Sequence, residues 1–257
     1  MPTGKIIITN DTGEQVEATA PVIVSASRST DIPAFYAKWF FNRLAKGYCA
    51  WYNPFNQQKM YISFENCKVV IFWTKNPKPI LPYLHELDER GIHYYFQVTL
   101  NDYVKEGFEP NVSSVENRVE TFKKLSDMIG KEKVIWRYDP VLTNETYTPG
   151  FHKEKFAEIA YELKEHTEKC MLGFIDHYQH IRTAVSRFNI QPLLKADIEE
   201  MAASFKKTVD TCSIQLNTCT VKVDLTHLGI PDGLCIDNQL VERITGYPIS
   251  VLSLIHI

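Results

Sequence analysis

Lys68–Trp73 reads KVVIFW and runs directly into Thr74-Lys75-Asn76-Pro77. The apolar stretch has no polar face, which excludes a half-solvated strand of period two. It is also too short for a buried helix. A strand covered on both faces is what a parallel sheet requires. Working outward, similar short runs occur at Val22–Ser25, Tyr48–Tyr52, Ile92–Val98, Lys133–Arg137, Met171–Ile175 and Ser213–Leu216. Helical spacing fills the intervals. Phe35, Tyr36, Trp39, Phe40 and Leu44 form one apolar face, opened by Asp31 and Pro33 and stopped by Gly47. Pro79–Arg90 reads as a helix closed by Gly91. Val119, Phe122, Leu125 and Ile129 follow a capping box at Ser113 and Glu116. Two further apolar faces are Phe156, Ile159, Ala160, Leu163 and Ile198, Met201, Ala202, Phe205.

This alternation predicts a parallel sheet with right-handed crossovers. In a chain of 257 residues it predicts an α/β fold, a TIM-like (β/α) barrel, complete or partial, forming a single domain over residues 1–251. An open doubly wound sheet is the competing topology. No G-x-G-x-x-G follows the first strand, which counts against a dinucleotide fold.

Hydrophobic residues make up 44% and charged residues 23%, and the net charge is −3. That balance gives no global attraction to nucleic acid, so any polyanion contact must be local. No apolar run approaches the roughly 20 residues of a transmembrane helix, and the amino terminus lacks a signal-peptide pattern. A cytoplasmic protein without membrane contact is expected. The six cysteines contain no C-x-x-C and read as buried thiols in a reducing compartment. Cys219 and Cys235 both follow the last strand, where they can approach each other.

Polar residues cluster where the apolar runs end. These are Arg28 and Asp31, Asn53, then Lys75 and Asn76, then Gln97, then Arg137 and Asp139, then Asp176 and Tyr178, and finally Lys222. In a parallel barrel those ends converge on the face that carries active sites. Lys75, Asp139 and Asp176 are the candidates for catalysis. Arg28, Asp31, Asn53, Asn76, Gln97, Arg137 and Tyr178 are the candidates for substrate binding. Competing local roles are a helix cap for Asp31, turn chemistry for Asn53 and a structural pair for Arg137 with Asp139. His177 and His180 lie near the same ends; His85, His93, His152 and His166 read as surface or packing residues. Arg118 is expected on a solvated helix face.

The segments SRSTDIPAFYAKWFFNRLAKGY, NPFN, FWTKNP, YYFQVTLNDY, WRYDPVL and DLTHLGIPDGLCID together resemble the bacterial family known as domain of unknown function 1848. The likeness runs from Val22 to Gly246, and FWTKNP and WRYDP are its specific pieces. The chain departs from the family's double arginine with Arg28-Ser29, and from its T-C-A-E with Thr218-Cys219-Thr220-Val221. Family members continue into a cysteine cluster like that of radical S-adenosylmethionine enzymes, and some are described as similar to DNA repair photolyases. The resemblance therefore implies a 4Fe-4S cluster and S-adenosylmethionine in full-length members, and none of these in this chain. Residues 252–257, LSLIHI, read as a non-native tail.

Three function classes follow. The first is an iron–sulfur, radical S-adenosylmethionine-like enzyme acting on a phosphate-bearing or nucleic-acid-related substrate. The second is a metal-independent lyase or hydrolase with Lys75 and Asp139 or Asp176 as acid and base. The third is a non-catalytic barrel for a small anionic or nucleotide-like ligand. A glycosidase is disfavoured because no glutamate ends a strand.

Overall fold

The computed structural model describes residues 4–26, 30–53, 56–104, 107–176, 181–249 and 254–257. The chain forms a mixed α/β fold that divides into two compact units, residues 1–97 with 236–257, and residues 98–235.

The first unit opens with strands β1 (Gly4–Thr9) and β2 (Gln15–Ala20), then β3 (Ile23–Ala26). Helices α1 (Ile32–Phe35) and α2 (Ala37–Ala45) lead to β4 (Tyr48–Tyr52), β5 (Lys59–Ser63) and β6 (Val69–Thr74). Helix α3 (His85–Glu89) precedes β7 (His93–Thr99); α8 (Asn238–Thr245) and β11 (Leu254–His256) return from the far end of the chain. β3 pairs in parallel with both β6 and β11. β6 is the strand expected from KVVIFW, and Val69–Phe72 are fully buried. Phe40, Phe72 and Phe96 fill the core as a run of ring contacts, with centroids 5.4 and 4.8 Å apart.

A second sheet, in the order β1-β2-β5-β4, corrects the sequence reading. β4 is antiparallel to β5 and does not belong to the parallel sheet. The helix reading also needs correction. Phe40, Phe41 and Leu44 are buried, but Trp39 on the same helix is exposed, and Phe35 and Tyr36 are exposed because the helix breaks at Tyr36. That break rotates the earlier aromatics away from the core.

The second unit holds α4 (Val115–Ile129), β8 (Val134–Val141), α5 (Pro149–Leu163), β9 (Lys169–Phe174), α6 (Arg182–Arg187), α7 (Lys195–Thr211) and β10 (Gln215–Thr218). β8, β9 and β10 are neighbouring parallel strands. The three helical faces expected for α4, α5 and α7 are buried at each of their apolar positions, including Phe122, Phe156 and Phe205. Trp136 stacks on Phe156, and Phe156 on Phe205, at 4.7 and 4.3 Å. Each such ring contributes roughly 1.5–3 kcal/mol by leaving water. Neighbouring strands run β7-β6-β3-β11 in the first unit and β10-β9-β8 in the second.

Arg118 is not on a solvated face. It is 3% exposed, with Nη2 donating to the Asn101 carbonyl at 2.7 Å and Nε to the Ser113 carbonyl at 3.0 Å. The cap of α4 is Ser114 rather than Ser113.

Candidate functional site

Three adjacent parallel strands bring the polar groups of the second unit together. Arg137 on β8, Met171 on β9 and Asn217 on β10 stand level across the sheet. Arg137 is buried, and its guanidinium donates to the Asp139 carboxylate and to the Cys219 sulfur. Burial alone would make that charge easier to lose; Asp139 and Cys219 more than offset it and keep Arg137 cationic.

The sheet makes room for this cluster with glycine. A Cβ on Gly173 of β9 would lie 2.2 Å from Asp139 Oδ1. Any side chain there would displace the carboxylate. A Cβ on Gly233 would lie 2.8 Å from the Thr218 carbonyl oxygen, so the loop after β10 can close on that strand only through a glycine. The loop is stitched down by Thr218 N–H to the Pro231 carbonyl at 3.0 Å and Gly233 N–H to the Thr218 carbonyl at 2.8 Å. Thr218 Oγ1 adds a bond to Asp232 Oδ1 at 2.7 Å.

That clamp sets Cys219 Sγ 3.5 Å from Cys235 Sγ. Cys219 is held well below the usual thiol range, first because the Cys235 thiol donates to it and then because Arg137 faces it. Those effects outweigh burial. The same contact and partial burial push the Cys235 thiol up, so the proton of the pair sits on Cys235. The buried thiols Cys49 and Cys67 are instead pushed up to about 12 by burial, and Cys170 is also raised. Sequence reading grouped all six cysteines as buried thiols, but Cys235 is exposed. The usable signal was the shared position of Cys219 and Cys235 after the last strand, with Gly233 between them.

Asp176, beyond β9, pairs with Lys222 at 2.6 Å, and Lys222 is 80% exposed. It is the cation of this group that meets solvent, whereas Arg137 is engaged internally. Tyr178, His177 and His180 lie outside the described residues, as does Arg28.

In the first unit, Asp31 serves as a structural tie. Oδ1 accepts from Ala34 N–H at 3.0 Å, capping α1, and Oδ2 accepts from Lys75 N–H at 2.8 Å. Burial raises its pKa despite these bonds. Lys75 is half-buried at the end of β6. Asn76 Oδ1 accepts from Lys78 N–H at 3.2 Å in the next turn. Gln97 is buried within β7. Asn53 closes the β4–β5 hairpin, exchanging backbone bonds with Gln57 and Gln58, so it does not follow a parallel strand. Replacing Asp31 by alanine should cost about 1–3 kcal/mol, since two partly buried N–H groups lose their acceptor. A urea titration showing no shift of midpoint would contradict that role.

The resemblance implies a cluster that needs several convergent thiolates. Cys219 and Cys235 supply two. Among the described residues no group of three or more histidine, cysteine, aspartate or glutamate side chains converges as a metal site. The described residues therefore do not fit a 4Fe-4S cluster by themselves. Among them, no helix is long and apolar enough to cross a membrane.

The chain is similar to a crystal structure from Bacteroides thetaiotaomicron that is provisionally named an alpha-L-fucosidase. The two share 11% identity over 75% of this chain and 76% of that one, with a TM-score of 0.29. No curated protein matches the chain. The family profile described as "Domain of unknown function (DUF1848)" matches residues 23–253. With nearly its whole length inside that match, the chain belongs to the family of domain of unknown function 1848.

Proposed function

We propose that the chain is the barrel-type body of a cytoplasmic enzyme acting on a small anionic, phosphate-bearing or nucleotide-like substrate. Its reacting centre is the Cys219 thiolate, with Arg137 as counter-ion. The observation that carries this reading is the buried Arg137 guanidinium shared between Asp139 and Cys219, with Cys235 at 3.5 Å from Cys219. A thiolate, not a thiol, is the nucleophile in cysteine chemistry, and a neighbouring cation is what creates one near neutral pH. Asp139 fixes the guanidinium so that its charge stays on the sulfur. Lys222 is placed to meet a substrate anion, with Asp176 holding it.

The iron–sulfur and S-adenosylmethionine chemistry implied by the family resemblance remains a proposal for polypeptides that carry the additional cysteine cluster.

The test is alkylation of the reduced protein by iodoacetamide, followed at single cysteines by peptide mass spectrometry between pH 5 and 10. Cys219 is expected to react at its full rate well below the ordinary thiol pKa of about 8.5. Arg137→Met should move that limb upward. A Cys219 profile that rises only near pH 8.5 and ignores Arg137→Met would end the thiolate reading. In the same samples Lys222→Ala should weaken pyrophosphate binding, measured calorimetrically, more than Lys124→Ala on the exposed face of α4.

A further inference from the structure

We propose that Cys219 and Cys235 form a dithiol–disulfide site, closed by hydrogen peroxide and reopened by a small dithiol. This deepens the reading of Cys219 as the reacting sulfur. It rests on geometry. The two sulfurs are 3.5 Å apart, so formation of a bond near 2.05 Å asks mainly for side-chain rotation. The segments that carry them are locked together by the bonds between Thr218 and the 231–233 loop, and by Gly233 at their closest approach. The clamp therefore presents the pair ready-made.

The two thiols also differ in kind. Cys219 is 6% exposed beside Arg137, while Cys235 is exposed. The first suits attack on a small oxidant and the second suits resolution.

In the first step the Cys219 thiolate attacks one peroxide oxygen. The O–O bond breaks, an S–O bond forms, and the departing hydroxide takes a proton from solvent to become water. In the second step the Cys235 sulfur attacks the resulting sulfenic acid. The S–O bond breaks, the S–S bond forms, and the hydroxyl leaves as water with the proton from Cys235. Two electrons pass from the sulfur pair to the peroxide oxygens. A dithiol reverses the change by exchange through a mixed disulfide. Closure removes the thiolate and leaves Arg137 facing a neutral disulfide, so the oxidised protein has lost its nucleophile.

The experiment treats the reduced full chain with hydrogen peroxide, quenches with N-ethylmaleimide in acid, and maps peptides by mass spectrometry. The expected product is a Cys219–Cys235 linked peptide lacking two hydrogens, lost on treatment with dithiothreitol. Cys49, Cys67, Cys170 and Cys212 should remain maleimide-labelled. Cys235→Ser should instead leave a sulfenic acid at Cys219, trapped by dimedone. Gly233→Ala should lower the linked fraction at equal peroxide by roughly tenfold while both thiols remain. Cys219 passing to sulfinic acid in the intact protein, Cys235 joining a second chain, or neither sulfur reacting would each overturn the pair. These failures separate from that of the thiolate reading. Low-pH alkylation without a linked peptide sinks the disulfide alone, and a linked peptide without low-pH alkylation sinks the thiolate alone.

Discussion

Arg137→Met is expected to destabilise the protein by about 3 kcal/mol, read as a lower urea midpoint with an unchanged slope. Removing one partner of a buried ion pair usually costs about 3–5 kcal/mol, because the other charge is left without compensation. The lower end applies here. Arg137 is 6% exposed in its side chain, but Asp139 is 27% exposed and recovers part of its hydration when abandoned. The Cys219 thiolate loses its counter-ion as well and takes up a proton. Asp139→Asn in the same background should recover part of the loss, since it removes the stranded carboxylate and keeps the shape that Gly173 accommodates. Additive single and double variants would mean that the two side chains do not act as a pair.

Much of the second unit was legible in the sequence because its signals are local and redundant. The apolar positions of α4, α5 and α7 recur at helical spacing, and KVIWR and MLGFI are strands with no polar face. The second sheet was not legible in the same way. In β1 (Gly4–Thr9) Ile6 and Ile8 are half-buried while Ile7 is exposed, so three consecutive isoleucines hide the inside–outside alternation that marks a half-buried strand. Tyr48–Tyr52 was correctly seen as a strand and assigned to the wrong sheet, since periodicity reports faces and not pairing partners. Arg118 shows the same limit: a charged residue on an amphipathic helix reads as solvated, and only the backbone carbonyls of Asn101 and Ser113 explain its burial. For the candidate site, WRYDP marked Arg137 and Asp139 from their position at a strand end. The partnership of Cys219 with Arg137 depends on the parallel register of three strands and on a loop closed by Gly233, neither of which leaves a pattern in sequence.

Acidification should unfold the protein earlier than its carboxylates alone would dictate, through His152. This side chain is fully buried on α5, with Nε2 2.6 Å from the Leu142 carbonyl and Nδ1 2.9 Å from the Tyr138 hydroxyl. A carbonyl can only accept, so Nε2 carries the proton and donates, and Nδ1 accepts from Tyr138. Protonating Nδ1 would charge a buried ring and leave the equally buried Tyr138 hydroxyl without its acceptor. Burial accordingly lowers the pKa from 6.5 to about 4. A depressed folded-state pKa means that the unfolded chain binds the proton first. The contribution is complete above pH 6.5 and is lost progressively as the pH falls through about 4. At about 1.36 kcal/mol per pH unit, the window is worth roughly 3 kcal/mol. His152→Gln should lower stability at pH 7, because Tyr138 loses its partner, yet flatten the fall between pH 6.5 and 4 by about that amount. Comparing the two slopes cancels the carboxylates, which titrate alike in both proteins. Parallel slopes in urea titrations across that range would show that His152 is not the group that titrates.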